Sequence, residues 1–264
     1  MLTKYLHTYL WMTTLLLSIT TSVFASDINL IPRAWLGVAD YEYKQDARPG
    51  TMPDGSEFPE VKFNATLLMT GIGLTTTYNK WYFDMAYQDS SEEDDSFTGA
   101  NFSEDFKGDR RDYSATLGYK LFDNQASVYV GYKNGKTSGS GDLGTQLTFR
   151  EDGLFVGGSY AWLIANKGLL AVNLAYAQLD GHLKEIPGPS YPPGLGMDAD
   201  SETTGVSYGI SWNGIISKHM GYAISLDAND YTFNNLKDNS TNKPLPDKIE
   251  ETFHTFKVSL SYRF

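Results

Sequence analysis

The last segment of this chain alternates strictly between apolar and polar side chains up to its final residue. Apolar or aromatic side chains occupy every second position, at Phe256, Val258, Leu260, Tyr262 and Phe264. The positions between them hold Lys257, Ser259, Ser261 and Arg263. Successive side chains of a β-strand point to opposite faces, so this period of two predicts a strand with one apolar and one polar face. Such a strand suits a soluble sandwich or the wall of a membrane barrel whose apolar face meets lipid.

The same alternation recurs from residue 29 onward and predicts ten strands. Seven further regular segments are residues 81–88, 113–120, 126–133, 154–162, 170–176, 206–212 and 220–227. Two segments, Arg33 to Lys44 and Val61 to Tyr78, are less regular. In the second of these the apolar phase changes at Gly71, which predicts a β-bulge there.

The predicted links between strands alternate in length. Short polar links occur at Asn79-Lys80, Asp123-Asn124, Asn166-Lys167-Gly168 and near Ser217-Lys218. Long links run from Gln45 to Glu60, Asp89 to Asp109, Asn134 to Arg150, Gly181 to Thr203 and Asn234 to Glu250. Outer-membrane barrels have short periplasmic turns and long extracellular loops. The sequence therefore predicts an all-β, closed antiparallel transmembrane barrel of ten strands, with five long extracellular loops and both termini in the periplasm.

Residues 1–25 differ from the rest of the chain. Lys4 precedes a mostly apolar stretch, and Val23-Phe24-Ala25 has small residues where a signal peptidase cleaves. We therefore expect a cleaved secretory signal peptide over 1–25 and a barrel over 26–264. Without the leader, which holds one lysine and no acid, the net charge changes from −11 to −12. A surface this acidic excludes nucleic acid as a partner, and the lack of cysteine excludes a disulfide or a lipoprotein anchor.

The C-terminal residues Tyr262 and Phe264, with the alternation before them, resemble the assembly signal of bacterial outer-membrane β-barrel proteins. In that class the terminal phenylalanine, with an aromatic residue two positions earlier, is recognised by the barrel assembly machinery. The resemblance implies an outer-membrane location and this machinery as a partner during biogenesis. It covers the mature chain as an architecture, and its specific motif covers the last strand.

One short motif suggests an enzymatic alternative. Asp180-Gly181-His182 lies where the seventh strand enters the fourth long link. Omptin proteases, which are ten-stranded outer-membrane barrels, carry an Asp-x-His at a similar place, facing an aspartate pair in the second external loop. The second link here holds Asp89, Asp94 and Asp95, but the omptin pattern of two aspartates one residue apart beside tryptophan is absent. A lipid-modifying esterase would instead need a Ser-His pair at the rim, for which His254, Ser207 and Ser225 are the available residues.

The polar face of the strands predicts a charged lumen. Asp84, Lys120, Asp227, Lys257 and Arg263 fall on that face, with Lys133, and opposite charges in a narrow bore should pair. In the second link, Glu92, Glu93, Asp94 and Asp95 form an acidic run that could hold a weakly bound divalent cation bridging to lipopolysaccharide. We expect no other cofactor and no confident metal site.

These features together favour a non-enzymatic function. A ten-stranded barrel has an interior close to the size that side chains fill, which argues against a wide diffusion porin. We therefore expect a structural or binding barrel that acts through its external loops, or a narrow pore for small solutes, in contact with outer-membrane lipid and lipopolysaccharide. The alternative is a hydrolase that uses Asp180 and His182.

Overall fold

The strands of the chain were located in a computed structural model. It describes residues 28–46, 60–91, 93–99, 102–164, 167–189, 196–245 and 248–264, with the backbone alone for 61, 93–99 and 102–103. The predicted leader lies outside the described residues. The strands are β1 (Ile28–Gln45), β2 (Val61–Tyr78), β3 (Trp81–Ser90), β4 (Glu93–Gly99), β5 (Phe102–Leu121), β6 (Ala126–Gly141), β7 (Gln146–Ile164), β8 (Gly168–Ile186), β9 (Met197–Ile215), β10 (Met220–Asp238) and β11 (Ile249–Tyr262). Within these ranges no helix has the length and apolar character needed to cross a membrane.

The strands form one closed antiparallel barrel. Apart from β3 and β4, which do not pair with each other, consecutive strands are paired, and β1 pairs with both β2 and β11, which closes the wall. The short strand β4 pairs with β2 and β5, as β3 does, so β3 and β4 are two halves of the third wall strand. The wall therefore has ten strands, and the predicted fold class is confirmed.

The two ends of the barrel differ, although less than the sequence predicts. One end has the predicted short links, at residues 79–80, 122–125, 165–167 and 216–219. At the other end, here the long-strand end, three links shorten to 142–145, 187–196 and 239–248. Most residues of these predicted links therefore belong to the strands, which continue past the belt as paired hairpins. They stay paired because their inward positions hold large apolar side chains such as Phe106, Phe149 and Leu183.

The predicted bulge at Gly71 is wrong. The pairing of β1 with β2 runs without a shift from Ile28↔Tyr78 to Gln45↔Val61. The indole of Trp35 occupies the space beside Gly71, where an added Cβ would lie 2.1 Å from the ring. The register of β2 instead shifts by one residue between Met69↔Ser90 and Phe63↔Phe97, where the third wall strand breaks into β3 and β4. A second irregularity lies in β10, between Asn234 and Lys237.

The outside of the barrel carries an apolar belt at the short-link end. Outward apolar side chains extend over Ile28–Val38 in β1, Leu68–Tyr78 in β2 and Phe256–Phe264 at the end of the chain. Each stretch matches the roughly 9–11 residues that a tilted strand needs to cross a bilayer. Exposed tyrosines mark the upper edge of the belt, at Tyr113, Tyr132, Tyr176 and Tyr208. Beyond them the outward residues are mostly polar, so about half of each strand extends past the belt.

The inside of the barrel has the opposite arrangement. Next to the apolar belt the inward side chains are mostly polar, whereas in the long-strand half they form an apolar core. This core includes Tyr41, Tyr43, Phe63, Leu67, Met69, Phe106, Phe149, Leu183, Phe233 and Ile249. This exchange of apolar and polar faces explains the change of apolar phase in β2. The inward apolar residues of β2 are Phe63, Ala65, Leu67 and Met69, and the outward ones are Leu68, Ile72 and Leu74.

Candidate functional site: the closed lumen

The core of the long-strand half crosses the lumen from wall to wall. The ring of Phe149 on β7 lies 5.1 Å from Tyr43 on β1 and 4.6 Å from Phe233 on β10. Neither β1 nor β10 is a neighbour of β7 in the wall, so both contacts span the interior. Phe149 is fully buried. The aromatic side chains therefore fill the bore in this half of the barrel.

A buried ionic cluster lies next to this core, on the side that faces the short-link end of the barrel. Arg110 on β5 binds Asp112 through two hydrogen bonds, at 3.1 Å from Nε and 2.8 Å from Nη2. Its Nη1 donates to Oε1 of Glu251 on β11 at 2.5 Å, and its Nη2 donates to Oε1 of Glu151 on β7. The guanidinium also lies 5.2 Å from the ring of Phe253. Arg110 thus connects β5 with β7 and β11 through the interior of the barrel.

The charges of this ionic cluster do not balance. Lys133, whose Nζ lies 3.7 Å from Glu151 and donates to the Tyr231 hydroxyl at 2.6 Å, adds a second cation. Two cations therefore face three carboxylates, those of Asp112, Glu151 and Glu251. Burial raises the pKa of Glu251, which lies beyond the apolar belt, to about 7, although the Arg110 charge opposes this. A proton on Glu251 would neutralise the ionic cluster.

Below the ionic cluster the lumen holds a polar cavity of about 590 Å³. Asp227 and Lys257, two of the residues assigned to the lumen from the sequence, lie together here, with Nζ of Lys257 2.9 Å from Oδ2 of Asp227. Asp84 pairs with Arg33, which the sequence analysis did not single out, through contacts of 2.5 and 2.8 Å. The serine and asparagine side chains of β8 to β11 line much of the remaining cavity wall.

The other two predicted lumen residues do not join an ion pair. Lys120 and Arg263 both lie at the short-link end, and Arg263 donates to the side-chain oxygen of Asn29 at 3.2 and 2.9 Å. Among the described residues no acidic side chain lies within 4.0 Å of either. Of the five residues assigned to the lumen network, Asp227 and Lys257 therefore pair with each other, Asp84 pairs with Arg33, and Lys120 and Arg263 form no ion pair with a described residue.

Asp180 and His182 lie on the outer surface of the wall and not in the lumen. They occupy alternate outward positions of β8, and Nδ1 of His182 lies 2.8 Å from Oδ1 of Asp200 on β9. Asp89 also points outward, on β3, and pairs with Arg111. Among the described side chains no aspartate pair faces Asp180 and His182 across a groove. The arrangement that the omptin resemblance implies is therefore absent from the described part of the barrel.

The serine residues of the esterase alternative point away from its histidine. Ser207 and Ser225 face the lumen, where they donate to Asn229 at 2.6 Å and to Asp227 at 2.9 Å. His254 faces outward beside Asp40. No Ser-His pair forms among these three residues.

The predicted cation loop falls outside the described side chains. Glu92 lies outside the described residues, and Glu93, Asp94 and Asp95 are described by their backbone in β4 alone. Elsewhere in the described chain, no three acidic or histidine side chains converge on a metal position.

The terminal aromatic residues lie on the outside of the barrel at the short-link end. Phe264 and Tyr262 are exposed, with ring centroids 4.9 Å apart, and the Phe264 amide donates to the carbonyl of Leu30 at 3.2 Å. The end of the chain is thus paired to β1 while its aromatic side chains stay accessible on the apolar belt.

The residues that close the lumen were missed because they lie between the predicted links and the predicted strands. Glu151 and Glu251 follow the predicted link ends at Arg150 and Glu250, and Arg110 follows the link end at Asp109. The signal was present, since Arg110 continues the inward phase of Asp112 and Ser114, and Glu251 continues that of Lys257. Extending the alternation of each strand back to the end of the preceding link would have placed all three inside the barrel.

Solved structures of outer-membrane proteins share this architecture. The outer membrane protease OmpT from Escherichia coli matches with a TM-score of 0.65 at 11% identity, over 93% of this chain and 99% of that one. The translocator domain of autotransporter NalP from Neisseria meningitidis gives 0.44 at 12% identity, over 99% and 98%. No protein-family model and no curated protein sequence matches. At 11% identity the likeness to OmpT shows the fold alone, which is that of an outer-membrane β-barrel.

Proposed function

We propose that this chain is an integral outer-membrane barrel with a sealed lumen, which serves as a scaffold and binding surface and not as a diffusion pore. Its long-strand end faces the outside of the cell, and both termini face the periplasm. This orientation follows the rule that the short turns of such barrels are periplasmic. The apolar belt and the outer-membrane fold support the location.

The observation that carries this proposal is the closure of the external half of the lumen. The aromatic core and the ionic cluster both cross the bore. A solute would have to displace buried aromatic side chains and then separate Arg110 from Glu251. Because separating a buried ion pair costs several kcal/mol, spontaneous opening is rare.

The second candidate function is a gated narrow pore for small solutes. The polar cavity of about 590 Å³ favours it, since a lumen of this size holds water or a small polar molecule. A gated pore would use the same barrel with the aromatic core displaced. The two functions therefore differ in whether the core opens.

Two partners follow from the proposed location. The exposed Tyr262 and Phe264 would be read by the barrel assembly machinery during biogenesis, as the resemblance of the C-terminus implies. Lipid and lipopolysaccharide would contact the apolar belt and the polar wall above it.

Single cysteines test closure and orientation together, because the natural chain contains none. A membrane-impermeant maleimide is added to intact cells that carry Thr252→Cys or Ser259→Cys. Thr252 faces outward beyond the belt, whereas Ser259 lines the polar cavity below the ionic cluster. We expect Thr252→Cys to react in intact cells and Ser259→Cys to react after the outer membrane is permeabilised.

Equal labelling of both cysteines in intact cells would show an open path from outside and would favour the gated pore. Labelling of Ser259→Cys alone in intact cells would contradict both the closure and the proposed orientation. Ser211→Cys, which also lines the cavity, serves as a second lumen position if one variant assembles poorly.

A further inference from the structure

The polar wall above the apolar belt is ordered in rows by the strand register. Outward residues directly opposite one another form four such rows. Three rows run from β5 to β9 and contain Tyr113, Arg111 and Asp109 on β5, and the fourth runs from Lys107 on β5 to Ile186 on β8. Adjacent strands lie about 4.8 Å apart, so neighbours in a row can act on one ligand.

The second row contains three consecutive basic residues. Arg111 on β5 faces Lys136 on β6, which in turn faces Arg150 on β7. We call Arg111, Lys136 and Arg150 the basic row. It continues to His182 on β8 and ends at Asp200 on β9. Arg111 and Arg150 therefore have Cα atoms about 10 Å apart, with the lysine between them.

The two sides of this wall carry opposite charge. Over the four rows, the outward positions of β5 to β7 hold four basic and two acidic residues: Lys107, Arg111, Lys136 and Arg150, with Asp109 and Asp152. The same rows on β8 and β9 hold four acidic residues and one lysine: Asp180, Asp198, Asp200 and Glu202, with Lys184. A basic surface on a chain with a net charge of −11 is a local feature that the overall composition hides.

The basic row is accessible to a ligand. Arg111 and Arg150 have side chains that are 48% and 55% exposed, and their ion pairs with Asp89 and Asp152 are long, at 3.3 and 3.4 Å. Exposed pairs of this kind contribute about 0–1 kcal/mol, so an anionic ligand can replace them. Lys136 is exposed and forms no ion pair with a described residue.

The basic row begins at the height of the lipid headgroups. Arg111 lies two residues beyond Tyr113 and Lys136 lies four residues beyond Tyr132, or about 7 and 13 Å along their strands. Because strands of such barrels tilt by about 35–45°, these two positions lie roughly 5 and 10 Å above the tyrosines. The headgroup layer on each side of the hydrocarbon is about 5–7 Å thick. Since tyrosines concentrate at the boundary between hydrocarbon and headgroups, the basic row starts within the headgroup layer and extends just beyond it.

From the charge, the spacing and the height, we propose that the basic row binds the phosphorylated headgroup of a glycolipid in the outer leaflet. The two arginines would bind phosphate oxygens through paired N–H groups, and Lys136 would add a point charge between them. The acidic residues on β8 and β9 would repel the phosphate, so the headgroup would bind only over β5 to β7. The inference rests on the proposed orientation but does not depend on whether the lumen is sealed.

The test compares lipid retention by folded barrels in detergent micelles. Wild-type protein and the variant Arg111→Gln, Lys136→Gln and Arg150→Gln are incubated with a bisphosphorylated glycolipid or its dephosphorylated form. Native mass spectrometry measures the lipid-bound fraction. We expect the triple variant to bind the phosphorylated lipid at least about tenfold more weakly, since each charge-assisted contact contributes about a tenfold factor. The wild-type protein should bind the dephosphorylated lipid as weakly as the triple variant binds the phosphorylated one.

Two controls make this result specific. Lys184→Gln removes an exposed lysine from the acidic side of the wall and should leave lipid binding unchanged, and Lys136→Glu alone should reduce it. Unchanged binding by the triple variant would overturn the proposal, even if the cysteine labelling supports a sealed barrel. Displacement of the lipid by millimolar inorganic phosphate would also overturn it, because the site would then recognise free anions and not a lipid headgroup.

Discussion

Replacing Arg110 with alanine is expected to destabilise the folded barrel by about 3–5 kcal/mol, the cost of breaking a buried ion pair. Arg110 holds the buried carboxylates of Glu151 and Glu251 together across the lumen and binds Asp112 as well. Without the guanidinium, these carboxylates repel one another in a site with little water. Urea unfolding in detergent micelles, followed by the change in gel migration of unboiled samples, measures the loss.

Arg111→Ala is the matched control for this prediction. Arg111 is the next residue of the same strand, but its side chain points outward, so its removal should change stability by less than about 0.5 kcal/mol. Adding Glu151→Gln and Glu251→Gln to Arg110→Ala should restore part of the lost stability, since fewer charges then remain unpaired. Equal effects of Arg110→Ala and Arg111→Ala would mean that the ionic cluster does not stabilise the barrel.

The second large effect is expected at the centre of the aromatic core. Phe149→Ala removes a fully buried ring that contacts Tyr43 and Phe233. Truncating a buried phenylalanine costs about 3–5 kcal/mol, because the lost contacts leave a cavity. The same urea titration measures this difference.

Thr148→Ala provides the comparison, because Thr148 precedes Phe149 in β7 and points to the other face of the wall. Its truncation should have a small effect, within about 0.5 kcal/mol. If Phe149→Ala were equally mild, the long-strand half would behave as a loose set of hairpins and the lumen would lack a solid core.

The strand wall was predictable because the period of two is a local property. Each strand next to the apolar belt shows apolar residues outward, as in the last strand from Phe256 to Phe264, and the short links carry Asn, Asp and Lys. The ten-strand closure followed from counting these segments. The sequence reasoning failed where the environment of the wall changes from lipid to water, because the apolar face then switches sides.

The inversion of faces explains both the misplaced bulge and the overlong links. In β2 the apolar residues are mostly inward before Gly71 and outward after it, although the strand itself is regular. The contacts of Arg110 could not be predicted in the same way, because Glu251 lies 141 positions away in the chain and meets it across the lumen only after closure. Alternation gives the face of a residue but not its partner on the opposite wall.

Single-channel recording in planar bilayers is the most direct test of the sealed lumen. The purified barrel is inserted into the bilayer, and insertion is verified in the same sample by the heat-dependent gel migration of the folded form. Because aromatic side chains and the Arg110 ion pairs fill the external half of the bore, we predict no stable current step from the wild-type protein. Wide, long-lived steps like those of a large diffusion porin would contradict the account.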